Sequence, residues 1–161
     1  MSSLVVIVFL WAVALSSGVM AGVYLAFSCF IMRAFNQLGA PQAVAAMNAI
    51  NASIVRSVFM PVFFGSTILS VCLIVISIFH WDEVGAGLVF IAGAVYFTGM
   101  FVCTVLFNVP LNNFLATLKD DSKNLQQAWS QYYKVWTEWN HLRVISSLVT
   151  CITCIWILSV Y

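Results

Sequence analysis

An all-helical bundle of four membrane-spanning helices is the fold that the sequence predicts, and three observations predict it. Hydrophobic residues make up 63% of the chain and charged residues 7%. Soluble domains hold roughly 45–50% and about 25%, so no solvated surface can be built all round. The apolar residues fall into four runs, 4–32, 57–79, 84–107 and 142–161, each close to the roughly 20 residues a helix needs to cross hydrocarbon. Lysine and arginine cluster beside only two of the three connections. The 161 residues therefore read as one integral membrane domain, and a soluble domain and a disordered chain are both excluded. Six Lys/Arg against five Asp/Glu make no basic patch, which also excludes nucleic acid as a partner.

The first run lacks a basic leader and stays apolar far beyond the roughly 7–15 residues of a signal-peptide core, so it is expected to remain as a helix. In it Gly18 and Gly22 form a GxxxG pair that would let another helix approach. Pro41 suits the first turn of a helix reaching Arg56, on which Asn48 and Asn51 share a face with Val44 and Val55. After the second run, the connection His80-Trp81-Asp82-Glu83 holds neither lysine nor arginine. The third run meets Asn108-Val109-Pro110-Leu111-Asn112-Asn113, where the proline should end or bend the helix. Beyond it, Asp121 or Ser122 can cap a helical extension that leads into the fourth run. Each of these two connections is thus expected to carry an additional amphipathic helical extension. Arg33 and Arg56 flank the first, and Lys119, Lys123, Lys134 and Arg143 lie in or beside the third. Both should be cytoplasmic, with both termini outside.

The stretch before the fourth run carries the most information. At about 100° per residue, Trp129, Tyr132, Tyr133, Trp136, Trp139, Asn140 and Arg143 fall within an arc of about 120°, while Gln131, Lys134 and Glu138 point the other way. If one helix runs from here into the span, an aromatic wall leads to an amide and a guanidinium just inside the bilayer. Such an arginine is costly unless it faces the interior and meets partners or a ligand. Asn48, Asn51, Asn108 and Asn112 lie on the same side and can supply partners. Interfacial anchoring and snorkelling would account for the stripe alone. They require no amides in both connections, whereas a polar pocket beneath a flat aromatic ligand uses all of them. Any single asparagine also fits a role in holding helices together.

The segments Met47-Asn48-Ala49-Ile50-Asn51, Asn108 through Leu115, Trp129 through Tyr132, and Trp136-Thr137-Glu138-Trp139-Asn140-His141-Leu142-Arg143 resemble the anthrone oxygenase-like membrane family over nearly the whole chain. The Pro-Leu-Asn element and the W-x2-W-N-x2-R element carry most of the resemblance. It implies a four-helix membrane bundle and, for members of polyketide pathways, oxygenation of an anthrone to an anthraquinone without metal or flavin. Set against that chemistry, Trp129, Trp136 and Trp139 could stack on a flat ring. Tyr132, Asn51, Asn108 and Asn112 are further candidates for substrate contact. Asn140 and Arg143 could stabilise a developing oxyanion. For the general base, His141 is the one histidine on that side but lies off the stripe; Glu138, Tyr132 and Tyr133 stay open, as does a merely solvated or capping His141.

No metal site and no cofactor are expected. His80 and His141 should lie on opposite faces of the membrane, no carboxylate falls within a span, and no glycine-rich nucleotide fingerprint occurs. Five cysteines are scattered along the chain; Cys151 and Cys154 stand one turn apart on the stripe and read as packing residues, with a redox or soft-metal role as the alternative. The expected partners are membrane lipid, a hydrophobic aromatic molecule, anthrone-like or hydroquinone-like, and molecular oxygen; a homo-oligomer is compatible with the sequence. The competing reading is a non-enzymatic membrane protein: a binder of a quinone-like or other amphipathic ligand, a small transporter or an accessory subunit. The lack of an intramembrane acid speaks against a proton-coupled transporter.

Overall fold

Hydrocarbon offers no water to an unpaired peptide group, so an apolar chain must satisfy its own N–H and C=O groups, and a helix does so within each segment. The computed structural model describes residues 4–118 and 124–160, and among them there are helices and short connections but no strand. Four helices are long and apolar enough to cross a membrane: α1 (Leu4–Gln37), α3 (Phe59–Phe79), α4 (Ala86–Thr117) and α5 (Leu125–Val160). A shorter helix, α2 (Ala40–Ile54), fills the first connection and begins with Pro41 in its first turn behind Gly39.

Length fixes the layout. The 21 residues of α3 span about 31 Å, close to the roughly 30 Å of a hydrocarbon core. By contrast α1, α4 and α5 have 34, 32 and 36 residues. Only five residues, Trp81 to Gly85, and the helix end at His80 separate α3 from α4, so the surplus length projects from the opposite end of the bundle. There α2 packs across it, and Met32, Val44, Met47, Leu115, Trp129 and Trp136 form a core. Two further cores fill the bundle proper, one around Tyr24, Phe63, Tyr96 and Met100, the other around Leu10, Val13, Leu73 and Val89. Large apolar residues such as Leu15, Ile68, Ile145 and Ile152 remain exposed on the outer faces, as contact with lipid requires.

Between membrane helices association depends on close packing, so small residues mark the tightest contacts. A Cβ on Gly93 would lie 2.6 Å from the Ser70 carbonyl oxygen, and one on Gly99 would lie 2.5 Å from Ser146 Cβ. Here α4 is pressed against α3 and α5. Thr150 Oγ1 donates to the Ala92 carbonyl at 3.0 Å, and Tyr96 Oη donates to Ser66 Oγ at 2.8 Å. Gly85, at φ 91°, makes the left-handed turn into α4.

Some expectations change. The GxxxG pair does not act as a unit: a Cβ on Gly18 would meet Cys151 Sγ at 3.4 Å, but one on Gly22 would meet nothing within 4 Å. The third span does not stop at Asn108, because α4 runs on through Pro110 to Thr117. Two π-helical stretches, Phe97–Val102 and Thr104–Asn108, precede the proline. A widened turn shifts the hydrogen-bond register, which lets a residue without an N–H be accommodated. The first span likewise reaches Gln37, with its own π-helical stretch at Phe27–Ile31. Asp121 and Ser122, the expected caps, and Lys119 and Lys123 lie outside the described residues.

Candidate functional site

A cavity of about 360 Å³ opens where the three π-helical stretches face α2, the start of α3 and the middle of α5. Each π-turn adds a residue to the helical circumference and rotates the residues downstream of it, a distortion common at functional sites. From these stretches Phe27, Phe101, Thr104 and Val105 line the cavity wall. Phe59 and Phe63 from α3 supply stacked rings 5.9 Å apart on the same wall.

Polar groups reach the cavity from Tyr24 of α1, Asn51 of α2, Thr104, Asn112 and Asn113 of α4, and Trp136 and Arg143 of α5, which runs unbroken from Leu125 to Val160 and so carries the aromatic stripe straight into the span. Arg143 lines the cavity with 5% of its surface exposed. Its Nη2 donates to Asn140 Oδ1 at 2.6 Å and its Nη1 reaches Thr104 Oγ1 at 3.5 Å, at the limit of a hydrogen bond. The guanidinium carbon lies 4.3 Å from the centroid of the Tyr24 ring and 5.0 Å from that of Trp136. Its Nε has no hydrogen-bond partner, and the Tyr24 hydroxyl, beside Arg143 and Thr104, makes no hydrogen bond of good geometry. No carboxylate meets the arginine among the described residues; Asp82, Glu83 and Glu138 are exposed. Cation–π contacts offset part of the desolvation of this charge, by about 2 kcal/mol for a buried pair.

Two amides are oriented by their partners. Asn140 Nδ2 donates to the Tyr24 carbonyl at 2.8 Å and to Ser28 Oγ at 2.7 Å. A carbonyl can only accept, so the other end of this amide, its oxygen, must face Arg143. Similarly Asn112 Oδ1 accepts from Trp136 Nε1 at 2.9 Å and from Tyr132 Oη at 2.8 Å. Because an indole N–H can only donate, the Asn112 amino group is left to donate to Asn51 Oδ1, at 3.1 Å. Asn51 Nδ2 lies beside the Tyr132 hydroxyl and makes no hydrogen bond of good geometry.

The structure thus brings Arg143, Trp136, Asn51 and Asn112 to one cavity, with Asn140 and Tyr132 as their supports. Other predicted site residues are placed elsewhere. Trp129 is buried among α2 and α5 residues and donates from Nε1 to Asn36 Oδ1 at 3.1 Å. Trp139 stacks on Phe107, centroids 3.7 Å apart and planes within 6°. Asn108 donates from Nδ2 to the Trp136 carbonyl at 3.3 Å and so ties α4 to α5. His141 borders a separate depression with Ser28, Cys29 and Arg33. Tyr24, Phe59, Phe63, Phe101 and Thr104 were not anticipated. A tyrosine inside the first span and a threonine before the Pro-Leu-Asn element were the available signals, since hydroxyls at that depth need partners. Among the described residues, no group of three or more His, Cys, Asp or Glu is placed to hold a metal ion.

Comparison with known proteins gives one finding of substance. The family described as anthrone oxygenase matches residues 56–153, a segment that includes all of α3 and α4 and most of α5. No curated protein and no solved structure matches the chain.

Proposed function

The chain belongs to the anthrone oxygenase-like family, and from that premise we propose that it oxygenates a flat, enolisable aromatic ketone of the anthrone type in the cavity beside Arg143. The observation that carries this reading is a buried guanidinium that meets no carboxylate among the described residues and is set among aromatic rings. Anthrone loses a proton from its central methylene to give an electron-rich enolate. The enolate carbon bonds to molecular oxygen; the resulting peroxide loses its O–O bond as the second hydrogen leaves the same carbon. Water departs with one oxygen atom and the other becomes the new carbonyl. Oxygen is the oxidant and the substrate supplies the electrons, so the reaction balances without a further reductant.

In this reading Arg143 lies where negative charge develops on the enolate oxygen, and Asn140, locked by Tyr24 and Ser28, holds the guanidinium in place. Preorganised donors in a water-poor site are worth most, about 3–4 kcal/mol when one is removed. Trp136 and Phe59 suit the ring faces, and Asn51 on the cavity wall suits a second substrate oxygen. His141 borders a different depression, so the chain acts mainly by favouring the enolate, and the rate should rise with pH towards the pKa of the bound substrate. A pocket that binds a quinone without turnover would share these residues.

The test is oxygen consumption and quinone formation by the protein reconstituted in vesicles, with a small panel of anthrones and hydroquinones. We expect turnover above the spontaneous rate, lowered at least about 100-fold by Arg143→Ala and little affected by Lys134→Ala on the exposed opposite face. Equal rates for the wild type and Arg143→Ala would refute the assignment.

A further inference from the structure

We infer that the cavity is loaded sideways from the hydrocarbon phase, through a slot between α3 and α4, and that its ligand is a bilayer-dissolved molecule with an apolar body and a polar leading edge. The inference rests on the proposed function only for the choice of a flat aromatic as the probe. Three observations carry it. First, the route towards the headgroups is roofed: Met47, Ile50 and Ile54 of α2 lie over the cavity, and the Asn112–Asn51 hydrogen bond pins α2 to α4. Second, α3 and α4 are clamped at Gly93 and Ser70, whereas the Phe59 end of α3 makes few contacts with α4 beyond Val102. The pair therefore diverges towards the cavity. Third, the cavity-lining residues that are also exposed include Val55 on the α2 side, Phe64 on α3 and Val105 and Val109 on α4. Asn113 is the polar member of that exposed set, one turn beyond Val109.

Depth agrees with the chemistry of this rim. If α3 matches the hydrocarbon thickness, Phe64 lies about 7–8 Å inside its boundary. Val105, four residues beyond the Phe101 ring that meets Phe63, lies nearer the boundary, so the mouth, edged by valine and phenylalanine, reaches from the boundary to about this depth and faces acyl chains. Arg143, more than nine-tenths buried and with its Nε unpartnered, lines the cavity inside this mouth beside the buried Tyr24. A ligand entering between Phe64 and Val105 would reach them with its polar edge while its apolar body stays towards lipid. Val105 and Phe64 set the width of the slot.

The test uses anthraquinone, which cannot be oxygenated further at its central ring, and an anthraquinone carrying a hexadecyl chain at one outer edge. Binding to the full chain in phosphatidylcholine vesicles is read as saturable quenching of tryptophan fluorescence. A mouth open to lipid lets the tail trail into the bilayer, so both probes should bind within about threefold of each other. Val105→Phe should weaken the tailed probe at least about tenfold more than the plain one, and Phe64→Ala should speed the association of both. Binding of the plain probe with exclusion of the tailed one would overturn the inference, as would saturable binding of neither. Binding of both probes by a protein that consumes no oxygen with anthrones would support the slot while refuting the oxygenase reading.

Discussion

Arg143 is held by neutral groups: one amide oxygen, one distant hydroxyl and two ring faces. Among the described residues no carboxylate neutralises it, and an uncompensated buried charge is costly unless it meets a partner or a ligand. Neutral partners position the charge and leave it able to meet an incoming anion. Asn112 has a different task. It is the shared acceptor of Tyr132 Oη and Trp136 Nε1 and the donor to Asn51. Asn112→Leu strands two donors in a part-buried setting, each costing about 1–3 kcal/mol. Thermal unfolding in detergent should show a midpoint several degrees below wild type, with looser packing of α2; an unchanged midpoint would mean that the amide does not tie the elements together.

At the scale of elements, the four spanning helices were legible because about 20 consecutive apolar residues admit few other structures. The stripe on α5 was legible because polar and aromatic residues alternate there with a 3.6-residue period. Of that stripe, Trp136, Asn140 and Arg143 reach the cavity or its support, while Trp139 turns to Phe107. The α5 surface is wider than one neighbour, so angular position alone could not separate the two sides of the stripe. The walls made by Phe59, Phe63 and Phe101 were not legible. Spans apolar on every face carry no period that says which side meets protein and which meets lipid. The π-helical stretches were equally hidden, since each adds a residue to a turn without a sequence mark except Pro110. Tertiary packing decides both features.

For the whole molecule, the roofed, polar end of the bundle carries Arg33, Arg56 and Lys134, while the opposite end carries Asp82 and Glu83. On the positive-inside rule we propose that the roofed end faces the cytoplasm. Introducing Glu83→Cys into a background without the native cysteines tests this directly: an impermeant maleimide should label intact cells, and labelling only after permeabilisation would reverse the orientation. The cavity mouth then opens in one leaflet, just inside its headgroups, where an amphipathic ketone concentrates. The most direct measurement of the central claim is the fate of labelled oxygen. Reconstituted protein, treated exhaustively with chelator and supplied with an anthrone under ¹⁸O₂, should form quinone faster than the spontaneous reaction and with one labelled oxygen per molecule, and Arg143→Met should return the rate to background. Quinone formed at the same rate with Arg143→Met, or turnover that stops on chelation and returns only with added metal, would contradict the account.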